Sequence, residues 1–495
     1  MPTPASRSKK GSQPSSKSSS LASPGSHSDP PTPATDASRL AEARVGEASR
    51  AGGASVRLVP LRAALAAGQD NRVEVLVRLQ SPPRPTAASG QSRARLAIAL
   101  VIDRSGSMRG RPLEEARRCA EAMLDRLAPT DSVALVQFDD DVQRLWPAVP
   151  IGDGLALKRL LANLQPGGST ALHGGWLEGA DSLVELAGRG LCRVVLLSDG
   201  KANVGWTETA DIAAACAEWR ARGITTSTYG LGEHFNEELM LAMAEAGGGN
   251  GYYGDSAEDL TAPFQQEFDL LADLCLRDLR LRISVGHGMP ITATLLNELP
   301  RVQDGWLMTD LPWNAEAWAL LRLDIPAAAL PPVGERMALF EAGVRGTDLQ
   351  GREVSLERAA LDLPVVQPAT YARLDADPLV ERRRAELQAA SALAAVRRAV
   401  MDGRWDEAES LLAATSERFA GNDWVVSVVG AMKGLVSRRE QHRVGKELMY
   451  SASKMNKRLT ARHEDTGFIA SAEAAAPAYL RRRALQGKSE TDHGA

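Results

Sequence analysis

The segment LAIALVIDRSGSMRGR, Leu96 to Arg111, decides how this chain is read. Seven apolar residues, Leu96 to Ile102, run without a break into Asp103. A continuous apolar run fits a strand buried on both faces of a parallel sheet; a half-solvated strand would alternate. Asp103 then falls at the carboxyl end of that strand, where open α/β sheets bind ligands. Ser105 and Ser107 follow at a two-residue spacing. Pro112 opens the helix LEEARRCAEAMLDRLA, because a first-turn N–H has no intrahelical partner to lose.

Outward from this segment the same alternation repeats from about 94 to 276. SVALVQFD and VQRLWPAV read as two strands joined by a tight turn, and GLALKRLLANL as a short helix. After the loop QPGGSTALHGG comes the helix WLEGADSLVELA. CRVVLLSDG is a second apolar strand that ends in an aspartate, Asp199. ETADIAAACAEWRARG is a helix stopped by Gly223, TTSTYGLG a strand, EELMLAMAEAG a helix and NGYYGD a short strand. The last helix starts at Ser256, a fitting N-cap. Buried strands alternating with helices imply a doubly wound, mostly parallel, Rossmann-like sheet covered on both faces. Asp103 and Asp199 should then reach one rim.

On both sides of this α/β unit the period changes to two. SVRLVPL and NRVEVLVRLQ precede it, the second placing Val73, Val75, Val77 and Leu79 on one face. Five strand-like runs follow it between 277 and 370. An isolated strand pair is marginal, so residues 53–82 are expected to pair with 277–370. The α/β domain would thus be inserted in a β-sandwich. From 378 to 462 the chain reads as helical: a helix, a turn at Gly403, a second helix and a long basic helix over 433–462. GRWDEAESLL resembles one tetratricopeptide-type hairpin, but a single copy argues for a simple hairpin. Residues 1–52, rich in Ser, Pro, Ala and Gly, read as a disordered tail, and 463–495 as poorly ordered.

Composition narrows the function. The chain has 495 residues, 44% hydrophobic and 24% charged, with a net charge of −4. That charge is too small to mark the whole molecule as a nucleic-acid or membrane-surface binder. No run approaches the roughly 20 apolar residues of a membrane span. The N-terminal stretch lacks the apolar segment of a signal peptide, which sets the cytoplasm as the expected compartment. Cys119, Cys192, Cys216 and Cys275 form no C-x-x-C pair and sit in apolar patterns. They read as buried reduced thiols, not a zinc or redox site.

Three loops should meet at the rim: Asp103-Arg-Ser105-Gly-Ser107, Gly167-Gly168-Ser169-Thr170, and Asp199. Together they offer two carboxylates and three hydroxyls. Such hard oxygen donors suit magnesium, or manganese or calcium. Ser105, Ser107 and Thr170 would bind directly, with Asp103 and Asp199 orienting waters. The same residue types also cap helices and could do so without metal.

These residues resemble the metal-ion-dependent adhesion site of von Willebrand factor A domains, and none of the five positions departs from the pattern. The resemblance continues through VALVQFDDDVQRLWP, LLSDGKANVGW and STYGLGEHFNEELMLAMAEAGGGNGYY. In layout the chain is similar to bacterial proteins with β-rich flanks, to inter-alpha-trypsin inhibitor heavy chains and to calcium-activated chloride channel-like proteins. The resemblance implies metal-dependent binding of a protein ligand that offers a carboxylate, without catalysis. The missing signal peptide favours an intracellular adaptor or assembly role.

Other readings compete. A hydrolase with Asp103 as nucleophile would use Asp-x-Asp, and the second position here is Ser105, which cannot serve as acid and base. A Ser105–His173–Asp199 relay is the other catalytic arrangement, but the G-x-S-x-G elbow is absent, and His173 fits a helix-start surface residue. The Gly167–Thr170 loop lacks the P-loop lysine. The basic helix holds nine Lys or Arg against two Glu between Lys433 and Arg462. It is either packed on the hairpin or docked to an acidic partner, with protein, RNA or a membrane surface as candidates. A metal-independent scaffold using the sandwich and this helix is the remaining alternative. Arg104, Arg109 and Arg111 flank the site and could steer an acidic partner.

Overall fold

The computed structural model describes residues 53–84, 95–199, 202–231, 235–254, 257–286, 289–456 and 460–461. The two expected tails and the Ser256 cap lie outside the described residues.

The α/β domain is built on a six-stranded sheet. Its strands run in the order Val142–Pro150, Ser132–Phe138, Leu96–Asp103, Leu191–Ser198, Ile224–Leu231 and Gly248–Gly254. Only the pairing of Ser132–Phe138 with Val142–Pro150 is antiparallel. The chain builds outward from Leu96–Asp103 on one side, then crosses back to build on the other. The reversal lies between Leu96–Asp103 and Leu191–Ser198, and that crevice is where a doubly wound sheet binds ligands. All eight residues of each of these two strands are buried, as the unbroken apolar runs required. Leu96, Ile98, Leu100 and Ile102 face one core with Met108, Leu113 and Cys119. Ala97, Ala99 and Val101 face the other with Leu172, Trp176 and Ala180.

Small residues on that second face let the helix Leu172–Asp181 approach closely. A Cβ added to Gly179 would stand 2.3 Å from Val101 Cγ2, and one added to Gly175 2.4 Å from Phe138. Gly179→Ala gains about 1 kcal/mol of helix propensity but overpacks a sheet that cannot yield, at about 1–3 kcal/mol. Thermal melts should show it destabilised. Gly430→Ala, an exposed helical position with open space around it, should instead be stabilised. A stabilised Gly179→Ala would mean that the helix is free to move off the sheet.

The β-rich flanks form a sandwich. Asn71–Gln80 pairs antiparallel with Ser55–Pro60 on one edge and with Ala315–Ile325 on the other. A second sheet carries Leu274–Val285, Arg336–Thr347 and Ala359–Val366. Val73, Val75, Val77 and Leu79 share one core with Leu281, Leu339, Val344 and Leu363. The α/β domain thus interrupts the chain between Asn71–Gln80 in one sheet of the sandwich and Leu274–Val285 in the other. The helix Ala257–Ala272 leads directly into Leu274–Val285, so the boundary read at 276/277 falls inside a strand. The short strands Arg301–Val302, Gly305–Leu307 and Leu311–Pro312 are too brief to show a period in sequence.

Among the described residues the C-terminal region has four helices: Pro378–Met401, Trp405–Arg418, Asp423–Ser437 and Gln441–Asn456. This corrects the single basic helix over 433–462. The chain turns at Arg438–Glu440, with Arg439 at φ 56°. Gln441 Nε2 donates to the carbonyls of Val400 and Met401 at 3.1 and 3.0 Å, tying the turn to the end of the first helix. Val444, Leu448 and Met455 pack with Leu393, Val396 and Val400. The other side of Gln441–Asn456 lies on the α/β domain. Lys446 Nζ sits 4.1 Å from the Phe235 ring centroid, Tyr450 packs on Tyr253, and Ser453 Oγ donates to Glu245 at 2.7 Å. Much of this helix is therefore interior. No described helix is long and apolar enough to cross a membrane.

Candidate metal centre

Asp103 closes its strand with both oxygens occupied. Oδ1 accepts the Ser105 N–H at 2.8 Å, a local turn that short Asp side chains favour. Oδ2 accepts the hydroxyl of Ser198 from the neighbouring strand at 2.5 Å. These partners are neutral donors. The side chain is fully buried, and burial raises its pKa from 3.8 to about 6, with the charge of Asp199 acting in the same direction and the Ser198 and Ser105 hydrogen bonds opposing. Ser105 Oγ lies 3.2 Å from Ser107 Oγ. Asp103, Ser105, Thr170 and Asp199 are buried, whereas Ser107 is exposed at the lip.

The Thr170 loop is locked to the Asp103 loop by two backbone bonds. Gly106 N donates to Gly168 O at 2.7 Å, and Gly167 N to Arg104 O at 2.6 Å. Asp139, which sequence reading passed over, underlies both loops. Its carboxylate accepts Gly168 N at 3.1 Å and pairs with Arg104 at 3.0 Å, and its carbonyl accepts Ala171 N at 2.7 Å. A Cβ at Gly167 would stand 1.7 Å from Asp139 Oδ2, so the close approach requires glycine there. Asn203 is a second unforeseen clamp. Its Oδ1 accepts Thr170 N at 2.7 Å, while Asn203 N and Val204 N donate to Thr170 O at 3.1 and 3.2 Å. Asp199 is fixed through its carbonyl, which accepts Asn236 N at 2.9 Å.

The residue types fit a hard divalent cation. Among the described residues no three His, Cys, Asp or Glu are grouped so as to hold a metal ion, so a thiolate or imidazole site is not what this rim offers. What it offers is hydroxyl oxygens backed by two buried carboxylates, one of them, Asp103, held among the described residues by the neutral donors Ser105 and Ser198. A buried anion in that setting is costly unless a cation joins it.

The other residues singled out from sequence fall as follows. His173 is half-buried and stacks on Trp206 with ring centroids 4.3 Å apart. Burial lowers its pKa, and among the described residues it makes no hydrogen bond to Ser105. Arg104 turns inward to Asp139 and is mostly buried, which removes it from a steering role. Arg109 and Arg111 are exposed. All four cysteines are free and buried.

Residues 97–266 match the von Willebrand factor type A domain family. The fold extends over most of the chain in two solved structures. One is a von Willebrand factor type A protein from Catenulispora acidiphila, with TM-score 0.60, 15% identity, and coverage of 84% of this chain and 98% of that one. The other is the ArnB paralog VWA2 from Sulfolobus acidocaldarius, with TM-score 0.56, 16% identity, and coverage of 82% and 98%. Among curated proteins, the uncharacterized sll0103 of Synechocystis is 25% identical over 235 residues, 44% of this chain and 55% of that protein. Human inter-alpha-trypsin inhibitor heavy chain H3 is 27% identical over 176 residues, 33% of this chain and 20% of that protein. The chain thus spans about half the length of the first relative and a fifth of the second.

Proposed function

We propose that this chain, whose residues 97–266 form a von Willebrand factor type A domain, binds a partner protein through a divalent cation held at the rim. The donors are Ser105, Ser107 and Thr170, with Asp103 and Asp199 acting through bound water. When bound, magnesium, or manganese or calcium in its place, supplies an electrophilic centre that attracts a carboxylate. The burial of Asp103 among neutral donors, beside Asp199, carries this reading. Neutral hydroxyls leave the charge of such a centre largely unquenched, and Ser107 at the lip marks the side open to a partner. Asp139 and Asn203 hold the two hydroxyl loops at fixed separation, so little ordering is needed on binding.

The module is read as non-catalytic. A relay needs a base within hydrogen-bond reach of the nucleophile, and His173 is engaged with Trp206 instead. Four free, buried cysteines suit a reducing compartment, so we place the module inside the cell, as an adaptor or assembly factor.

Calorimetric titration with magnesium or manganese should give saturable heat for the native chain and none for Thr170→Ala. Affinity purification in the presence and absence of chelator should lose one partner on chelation and on the same substitution. Equal heats and an identical set of partners would make the rim a structural cap and shift attention to the sandwich.

A further inference from the structure

We infer that Trp206, stacked on His173, forms a second recognition element beside the rim, one that takes an apolar or aromatic side chain adjacent to the partner's acidic residue. This inference rests on the metal-dependent reading above. Trp206 is 53% exposed, whereas Trp176, Trp219 and Trp318 are buried. An indole offers a large apolar face with one polar N–H, and Trp is among the residue types most enriched at binding hot spots.

Its position is fixed, not free. Gly205, at φ 74°, makes the left-handed turn that presents Trp206. The two residues before that turn, Asn203 and Val204, both donate to Thr170 O, and the Asn203 side chain accepts Thr170 N. The loop bearing the indole is therefore registered on a residue of the site itself. Beneath it runs an aromatic ladder: Trp206 on His173 at 4.3 Å and 14°, His173 on Trp176 at 5.8 Å, and Trp176 against Trp219 at 6.5 Å. Burial disfavours the imidazolium form of His173, so the inner face of the indole rests on an uncharged ring. Its outer face is left as an apolar platform whose rotamer is already set, which lowers the ordering cost of docking.

The lip has a different character on the Ser107 side. There Arg109 is exposed, and Arg111 has a side chain 72% exposed and paired at a long 3.8 Å to Glu115. The rim thus carries an apolar platform beside Thr170, an exposed carboxylate, Asp140, beside Gly168, and basic residues beyond Ser107. The occupant that matches this is an extended segment of another protein with a central Asp or Glu. An apolar or aromatic residue would flank the acid on the Thr170 side, and further negative charge is welcome on the other.

The full chain should be used to probe an array of peptides with a fixed central aspartate and randomised flanks, in magnesium and in chelator. In magnesium the native chain should select aromatic or large apolar residues on one flank. Trp206→Ala should lose that preference and bind the selected peptides about tenfold more weakly or worse, with its magnesium heat retained. Trp206→Phe should keep most of the preference. The same flank selected by Trp206→Ala would overturn the inference while leaving the metal reading intact. No magnesium-dependent selection at all, even of aspartate itself, would sink the reading beneath it. Magnesium-dependent self-association that Trp206→Ala abolishes, without peptide selection, would assign the face to a second copy of this chain and equally overturn the inference.

Discussion

Replacing Asp139 by alanine is expected to destabilise the chain by about 3–5 kcal/mol and to abolish its response to magnesium. The size follows from what the carboxylate holds. Asp139 is buried, and its partner Arg104 is itself only 18% exposed along the side chain. Removing one member of a buried pair leaves the other as an uncompensated charge, which is far worse than never having had the pair. The Gly168 N–H and the Asp141 N–H also lose their acceptor. The loss of magnesium response follows from position. Asp139 ties the loop after Leu96–Asp103 to the loop before Thr170, so without it the hydroxyls are no longer held together. Asp139→Asn keeps one acceptor oxygen and should fall between the two. Thermal melts with and without magnesium read both effects. A variant that melts normally and still gains stability from magnesium would show that the loops hold their separation through Gly106–Gly168 and Gly167–Arg104 alone.

Asp139 also shows where sequence reading stops. Asp103, Ser105, Ser107, Thr170 and Asp199 could be picked out because each sits where a local pattern ends: an apolar strand, or a glycine-rich loop opening a helix. Asp139 stands in a run of three aspartates after a strand, which looks like an ordinary polar turn. Asn203 and Asn236 stand in loops with no periodicity, and Ser198 is one more residue of a strand. Their roles exist only once strands distant in sequence are neighbours. The insertion of the α/β domain was legible for the opposite reason. The alternation over Asn71–Gln80 demanded a covered face, and two strands alone could not supply it. The break at Arg438–Glu440 was not legible, because basic residues continue through it. What stops the helix is Gln441 bonding to carbonyls about forty positions earlier in the chain, and no local signal encodes that.

At the opposite end of the sheet from the rim, Glu267→Gln is expected to cost nearly as much as Glu267→Ala, on the order of 3 kcal/mol or more. Glu267, in the helix Ala257–Ala272, is buried and pairs with Arg193, which is buried in its turn. Ser227 Oγ donates to the same carboxylate at 2.7 Å, Asn250 Nδ2 at 2.6 Å and Tyr252 Oη at 2.9 Å. Every one of these partners is a donor. Arg193 faces one oxygen and Asn250 Nδ2 the other, so either orientation of a glutamine amide turns its NH2 toward a nitrogen that cannot accept, and its near-identical shape is no rescue. Burial lowers the pKa of Arg193 against the opposing charge of Asp310, so the cation needs its carboxylate partners here. Replacing both ends with apolar residues, Arg193→Met with Glu267→Leu, removes the stranded charge and should be less destabilising than either single change. The network fastens the last helix of the α/β domain just before the chain enters the sandwich at Leu274. Its loss should therefore lower the melting of both parts together, and leave the magnesium response of the folded fraction in place. Additive single-mutant losses in the double variant, or full stability in Glu267→Gln, would show that water enters this junction and screens the pair.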